Sequence, residues 1–116
     1  MTQAEKLSVE IRSYTLKPGQ REVFHQQMLQ QAWPMLQRWG VDVVAFGPSP
    51  HDDVSYYLIR AYDSLEHRQA SQDVFYGSRE WREGPREAIL SCIDNFTSVV
   101  LDMQAIVLNA LRQPCS

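Results

Sequence analysis

The stretch VDVVAFGPSPHDDVSYYLIRAYDS, residues 41–64, decides the fold. Its two ends are dense in β-branched and aromatic residues, which suit half-buried pleated strands, and its middle is a polar, proline-containing turn. Val41 to Gly47 and Val54 to Tyr62 therefore read as two strands of a hairpin, joined by Pro48 to Asp53. What flanks the hairpin sets the topology. On its N-terminal side Gln20 to Trp39 places Val23, Phe24, Met28, Met35, Leu36 and Trp39 at helical spacings, and Gly40 ends that helix. Pro34 lies inside it and removes a hydrogen bond to Gln30, so a kink or break near Trp33 is expected.

Further out, SVEIRSYTL at 8–16 alternates with period two, Val9 and Ile11 on one side and Glu10, Arg12, Tyr14 and Leu16 on the other, until Lys17-Pro18-Gly19 breaks the strand. Met1 to Leu7 reads as a polar leader. On the C-terminal side Asp63, with Glu66 three residues on, has the spacing of a capping box, and the helix it starts is expected to run to about Phe75. Tyr76-Gly77-Ser78 interrupts it, Arg79 to Glu83 forms a short turn around Trp81, and Gly84-Pro85 leads into a helical stretch from Arg86 to Ile93. FTSVVLDM at 96–103 is the fourth strand, after which Asp102 is placed to cap a last short helix, Gln104 to Arg112.

The order is β-α-β-β-α-β with an added C-terminal helix. That is an α+β, ferredoxin-like arrangement in which two helices cover one face of a four-stranded antiparallel sheet and strands one and three are central neighbours. Its 116 residues suit a single domain spanning 1–116, and 44% hydrophobic with 22% charged residues is an ordinary globular balance.

The net charge of −3 and the scatter of nine arginines and two lysines exclude nucleic acid as the main partner, because phosphate recognition needs a concentrated basic face. Cys92 and Cys115, without a CxxC spacing, give neither an expected disulfide nor a zinc site. No apolar run is long enough for a membrane span and no secretory h-region is present, so a cytoplasmic setting is expected. His25, His51 and His67 have no ligand spacing, and no phosphate loop, hydrolase triad or metalloprotease motif occurs, so no metal and no cofactor is expected.

Both sides of strands two and four carry apolar residues. Val41, Val43 and Ala45 oppose Val44 and Phe46, and Val99 and Leu101 oppose Phe96 and Val100. Helices on one side leave the other to be covered, and a second copy of the chain, a homodimer, is the simplest cover; the alternative is the terminal helix folding back in cis.

The run Glu10 to Gly19 (EIRSYTLKPG), followed by Phe24, Pro34 and Gly40, and then Val54 to Tyr62 with Asp63, Ser64, Arg68 and Trp81, resembles the NIPSNAP family over about residues 8–103. The resemblance implies a ferredoxin-like fold paired face to face into a dimeric α/β barrel. It implies no single reaction, since the wider barrel superfamily holds cofactor-free monooxygenases, isomerases, haem proteins and stress-responsive proteins.

If Val9, Ile11, Tyr57, Ile59 and Ala61 meet the helices, then Glu10, Arg12, Tyr14, Tyr56, Leu58, Arg60 and Tyr62 point between the paired sheets. Arginines and tyrosines converging there suit a small molecule with an anionic group and an apolar or aromatic body. Tyr14 or Tyr62 is then the candidate proton donor, with Arg12 and Arg60 stabilising an enolate-like charge, as in a cofactor-independent monooxygenase or isomerase. The competing account pairs Glu10 with Arg12 or Arg60 as a purely structural network in a non-catalytic dimeric interaction or stress-related protein. Arg68 is open to a structural reading, tying its helix to a carboxylate or carbonyl, and Trp81 to one as an anchor for the 77–85 segment.

Overall fold

The computed structural model describes residues 6–112; Cys115 and most of the polar leader lie outside them. The elements are β1 (Lys6–Leu16), α1 (Arg21–Gln27), a π-helical turn (Met28–Ala32), α2 (Trp33–Arg38), β2 (Asp42–Pro48), β3 (Ser55–Tyr62), α3 (Leu65–Tyr76), α4 (Arg79–Glu83), α5 (Arg86–Leu90), β4 (Ile93–Gln104) and α6 (Ala105–Ala110). The four strands form one antiparallel sheet in the order β2-β3-β1-β4, with β1 and β3 central. This is the α+β ferredoxin-like architecture. Among the described residues no helix is long and apolar enough to cross a membrane.

Several local expectations are corrected. The break expected near Trp33 does not occur: the chain stays helical through Pro34, and the irregularity before it is the π-helical turn Met28–Ala32. The Trp33 N–H reaches the Met28 carbonyl five residues back, and the proline falls in the first turn of α2, where a missing donor costs little. Ser64, not Asp63, caps α3: its Oγ accepts from the His67 N–H at 3.0 Å, while the Asp63 N–H donates to His67 Nδ1 at 2.9 Å. Asp102 does not cap α6; it belongs to β4, and Gln104 precedes the helix without a side-chain bond. β4 begins at Ile93, earlier than the hydrophobic run suggests, because α5 ends at Leu90. A bulge between Val43 and Ala45 breaks the alternation of β2, so Val44 and Ala45 pack together in one cluster while Val43 packs in another. Gly40, at φ +76°, closes α2 in the left-handed region, as expected of a helix-ending glycine.

The largest correction concerns the faces of the sheet. Residues Glu10, Arg12, Tyr14, Tyr56, Leu58, Arg60 and Tyr62 do share a face, but it is the one beneath the helices: Tyr14, Tyr56, Leu58 and Tyr62 belong to the core that contains Phe24, Met28, Leu36, Phe75 and Trp81. Val9 and Ala61 lie on the opposite face with Val44, Ala45 and Leu108 of α6, flanked by Leu7, Tyr57, Ile59 and Met103. The helices supply bonding partners for the charged and phenolic groups, and the opposite face offers mainly apolar neighbours, so the polar side of β1 turns toward the helices.

Candidate functional site

At the centre of the helix-covered face sits Glu10, whose side chain is fully buried. β1 and β3 place it directly across from Arg60, which donates to Glu10 Oε1 through Nε at 3.0 Å and through Nη2. α3 closes the cluster from above. Arg68, Gln72 and Tyr76 follow each other at four-residue steps, so they descend one helix face toward the sheet. Arg68 donates to Glu10 Oε2 from Nε at 3.1 Å and from Nη2 at 2.5 Å, and Gln72 Nε2 donates to both carboxylate oxygens at 3.1 Å. Burial alone would raise the carboxyl, but the Arg60 charge, the Arg68 hydrogen bond and Arg12 outweigh it and hold Glu10 at about 2. Arg60, nearly without exposure, also stays charged: burial opposes the cation, and Tyr76, Tyr62 and Glu10 around it prevail.

Arg12 is differently placed. Its Nη2 stands 3.6 Å from Glu10 Oε2, beyond good hydrogen-bond distance, while Nε donates to Ser98 Oγ at 3.2 Å and Nη1 to Tyr76 Oη at 3.3 Å. The Phe96 ring lies 4.8 Å from its guanidinium carbon, a cation–π distance. Three guanidinium groups thus surround one carboxylate, and Arg12 is the one that Glu10 engages least. It faces a cavity of ≈ 330 Å³ bounded by Arg12, Tyr14, Gln72, Tyr76, Trp81, Arg86 and Phe96, with Ile89, Leu90 and Ile93 completing an apolar side. Burial pushes the Tyr14 hydroxyl up to about 12, with Tyr76 adding to the shift and Arg12 and Arg60 opposing it, so the phenol stays protonated at neutral pH.

Of the six residues singled out from the sequence, Arg12 and Tyr14 line the cavity. Glu10 and Arg60 are the buried ion pair behind it. Tyr62 accepts from Gln72 at 3.3 Å, and burial raises its hydroxyl against the opposing Arg60 charge. Tyr56 lies farther along the sheet, its hydroxyl 2.6 Å from His25 Nδ1. Arg68 ties its helix to a carboxylate, and Trp81 both packs on Phe75 and Tyr76 and forms part of the cavity wall. Gln72, Tyr76, Arg86 and Phe96 escaped the sequence reading. The four-residue spacing of Arg68, Gln72 and Tyr76 was the available signal for two of them; Phe96, opposite Tyr14 in the sheet, had only its strand parity. Among the described residues no group of three His, Cys, Asp or Glu side chains is placed to hold a metal.

The fold recurs in solved structures. An uncharacterized NIPSNAP-like domain protein from Burkholderia xenovorans superposes with a TM-score of 0.77 at 18% identity, covering 85% of this chain and 86% of that one. A nipsnap family protein with unknown function from Agrobacterium tumefaciens gives 0.78 at 17% identity, with 86% and 90% covered. A putative antibiotic biosynthesis monooxygenase from Bordetella bronchiseptica gives 0.64 at 23% identity, with 88% and 97% covered. At these identities the likeness shows the fold alone. No curated protein matches the chain. The NIPSNAP family model matches residues 9–105, nearly the whole described chain, and the protein belongs to the NIPSNAP family.

Proposed function

We propose that this NIPSNAP protein binds a small organic anion with an apolar or aromatic body, in the cavity between its sheet and its helices rather than between two paired sheets. One observation carries the reading. Arg12 presents a guanidinium to the cavity that the buried carboxylate behind it engages only at 3.6 Å, beside walls of aromatic and aliphatic side chains. A cation in a largely apolar cavity favours a ligand that brings the opposite charge and covers the apolar walls. The chemistry it suits is one in which negative charge gathers on oxygen, as in an isomerisation or a monooxygenation through an enolate, with Arg12 stabilising the charge and Tyr14 supplying a protonated hydroxyl. The similarity in fold to proteins described as putative antibiotic biosynthesis monooxygenases is compatible with this, but it assigns no reaction.

We also propose that the chain works as a homodimer through the outer sheet face. Val99 and Leu101 of β4 and Ile106, Val107 and Leu111 at α6 are 40–75% exposed, next to the cluster that Leu108 begins to cover. The ligand reading is tested by calorimetric titration with benzoate. The expected outcome is binding by the wild-type chain and a loss of about tenfold or more in Arg12→Gln, as for a charge-assisted bond. Equal affinities in the two proteins, or no binding by the wild type, would overturn it.

A further inference from the structure

Tyr76 ends α3, and its hydroxyl accepts two hydrogen bonds, from Arg12 Nη1 at 3.3 Å and from Arg60 Nη1 at 2.9 Å. Guanidinium nitrogens only donate, whereas a phenol oxygen has two lone pairs and one proton. The two arginines therefore occupy the acceptor side of Tyr76 and leave it one remaining function, donation. No acceptor among the described residues takes that proton, and Tyr76 lines the cavity.

The ring is held as firmly as the oxygen. It packs edge-on against Phe75 at 5.0 Å and Trp81 at 5.3 Å between centroids, and the turn after it is tight: a Cβ on Gly77 would lie 2.7 Å from the Asp73 carbonyl oxygen, so only glycine fits there without a shift. Arg60 in turn is fixed by Glu10, so the chain Glu10, Arg60, Tyr76 transmits the orientation of a buried carboxylate to a hydroxyl at the cavity wall.

We infer that Tyr76 is the specificity-determining hydrogen-bond donor of the cavity, locked in that polarity by Arg12 and Arg60, and that the ligand presents an acceptor oxygen to it: a carboxylate, phenolate or enolate rather than a neutral ether or a bare ring. This rests on the reading of the cavity as an anion site and adds the residue that chooses the chemistry at the oxygen. Tyr62, whose hydroxyl accepts from Gln72, does not itself line the cavity and does not take the donor role; Tyr14 lines the cavity but lacks the paired arginine donors that fix the polarity of Tyr76.

The test uses the full chain and two ring-matched probes, 4-nitrophenolate and 4-nitroanisole, followed by absorbance. The wild type is expected to prefer the phenolate by about tenfold or more, and Tyr76→Phe to lose about tenfold in phenolate affinity while holding 4-nitroanisole within about twofold, since a hydrogen bond to a charged group is removed and the ring stays. A merely structural role for Tyr76 would weaken both probes together. Wild-type phenolate affinity in Tyr76→Phe overturns the inference and leaves the anion cavity standing if Arg12→Gln still loses the phenolate. Failure of the wild type to bind the phenolate overturns both. Should Tyr76→Phe melt too low to titrate, the Tyr76 ¹³Cζ resonance of the labelled wild-type chain gives the answer: it is expected to move on adding 4-nitrophenolate and not 4-nitroanisole, and a resonance indifferent to both overturns the inference.

Discussion

The two sides of strand β1 invert the usual expectation for a soluble protein. Ser8, Glu10 and Tyr14 point beneath the helices and are buried, Glu10 completely; the outer side, Leu7, Val9 and Ile11, belongs to a face whose neighbouring strand exposes Val99 at 53% and Leu101 at 40%. Glu10 on the charged side is as deeply buried as Val9 on the apolar one, while Leu7 and Ile11 are only half-buried. The difference shows that burial here follows available partners rather than hydropathy. α3 lowers Arg68, Gln72 and Tyr76 onto the polar side and completes its bonds, while α6 reaches the apolar side chiefly with Leu108. The polar face is finished within one chain. The apolar face leaves Val99, Leu101, Ile106 and Val107 exposed.

The largest effect is expected from removing a cation from the finished side. Arg60→Ala should lower the unfolding free energy by about 3–5 kcal/mol, because it breaks a buried ion pair and leaves Glu10 to Arg68, Gln72 and the more distant Arg12. Denaturant titration reads this directly, and a loss below about 1 kcal/mol would place the pair with ordinary surface salt bridges.

Acid attacks the same side more gradually. In the folded protein burial pushes the Glu10 carboxyl up but Arg60, Arg68 and Arg12 bring it down to about 2, against 4.5 for an unperturbed group. A depressed folded-state value means that the stabilisation is present above the unfolded value and is lost as pH falls from 4.5 toward 2. The amount is roughly 3 kcal/mol. Thermal melts across that window should slope downward in the wild type and more gently in Glu10→Gln, and parallel profiles would show that Glu10 is not the group responsible.

The unfinished side should respond in assembly rather than in stability. The wild-type chain is expected to sediment as a dimer at micromolar concentration, and Val99→Asp as a monomer of 13.4 kDa whose own unfolding free energy changes by no more than about 0.5 kcal/mol. A wild-type monomer in that range would remove the assigned role of the outer face.

Period-two alternation made the grouping of Glu10, Arg12, Tyr14, Arg60 and Tyr62 legible in the sequence, and the βαββαβ order made β1 and β3 neighbours. Alternation separates two faces but carries no mark of which one a helix will cover, and both sides of this strand offered bulky side chains. The decision lay in α3, whose Arg68, Gln72 and Tyr76 only find Glu10 once the helix is folded back over the sheet. Adjacent Asp63 and Ser64 are both good caps, so the one-residue choice between them depended on the extended backbone at Ser64. Pro34 signalled a kink or break because a lost donor is a local fact, whereas the π turn that absorbs it is a property of the whole helix.

The Glu10 cluster also constrains how the chain reaches its native state. Its bonds join residues 50 and 58 positions apart, so no local segment contains both the carboxylate and its cations. A β1–β3 pairing that desolvated Glu10 before Arg68 arrived would bury a half-compensated charge, and an α3 docked without the strands would bring a cation to no anion. Compensation of the carboxylate therefore requires strands and helix to be in place at once, which couples their folding to one another.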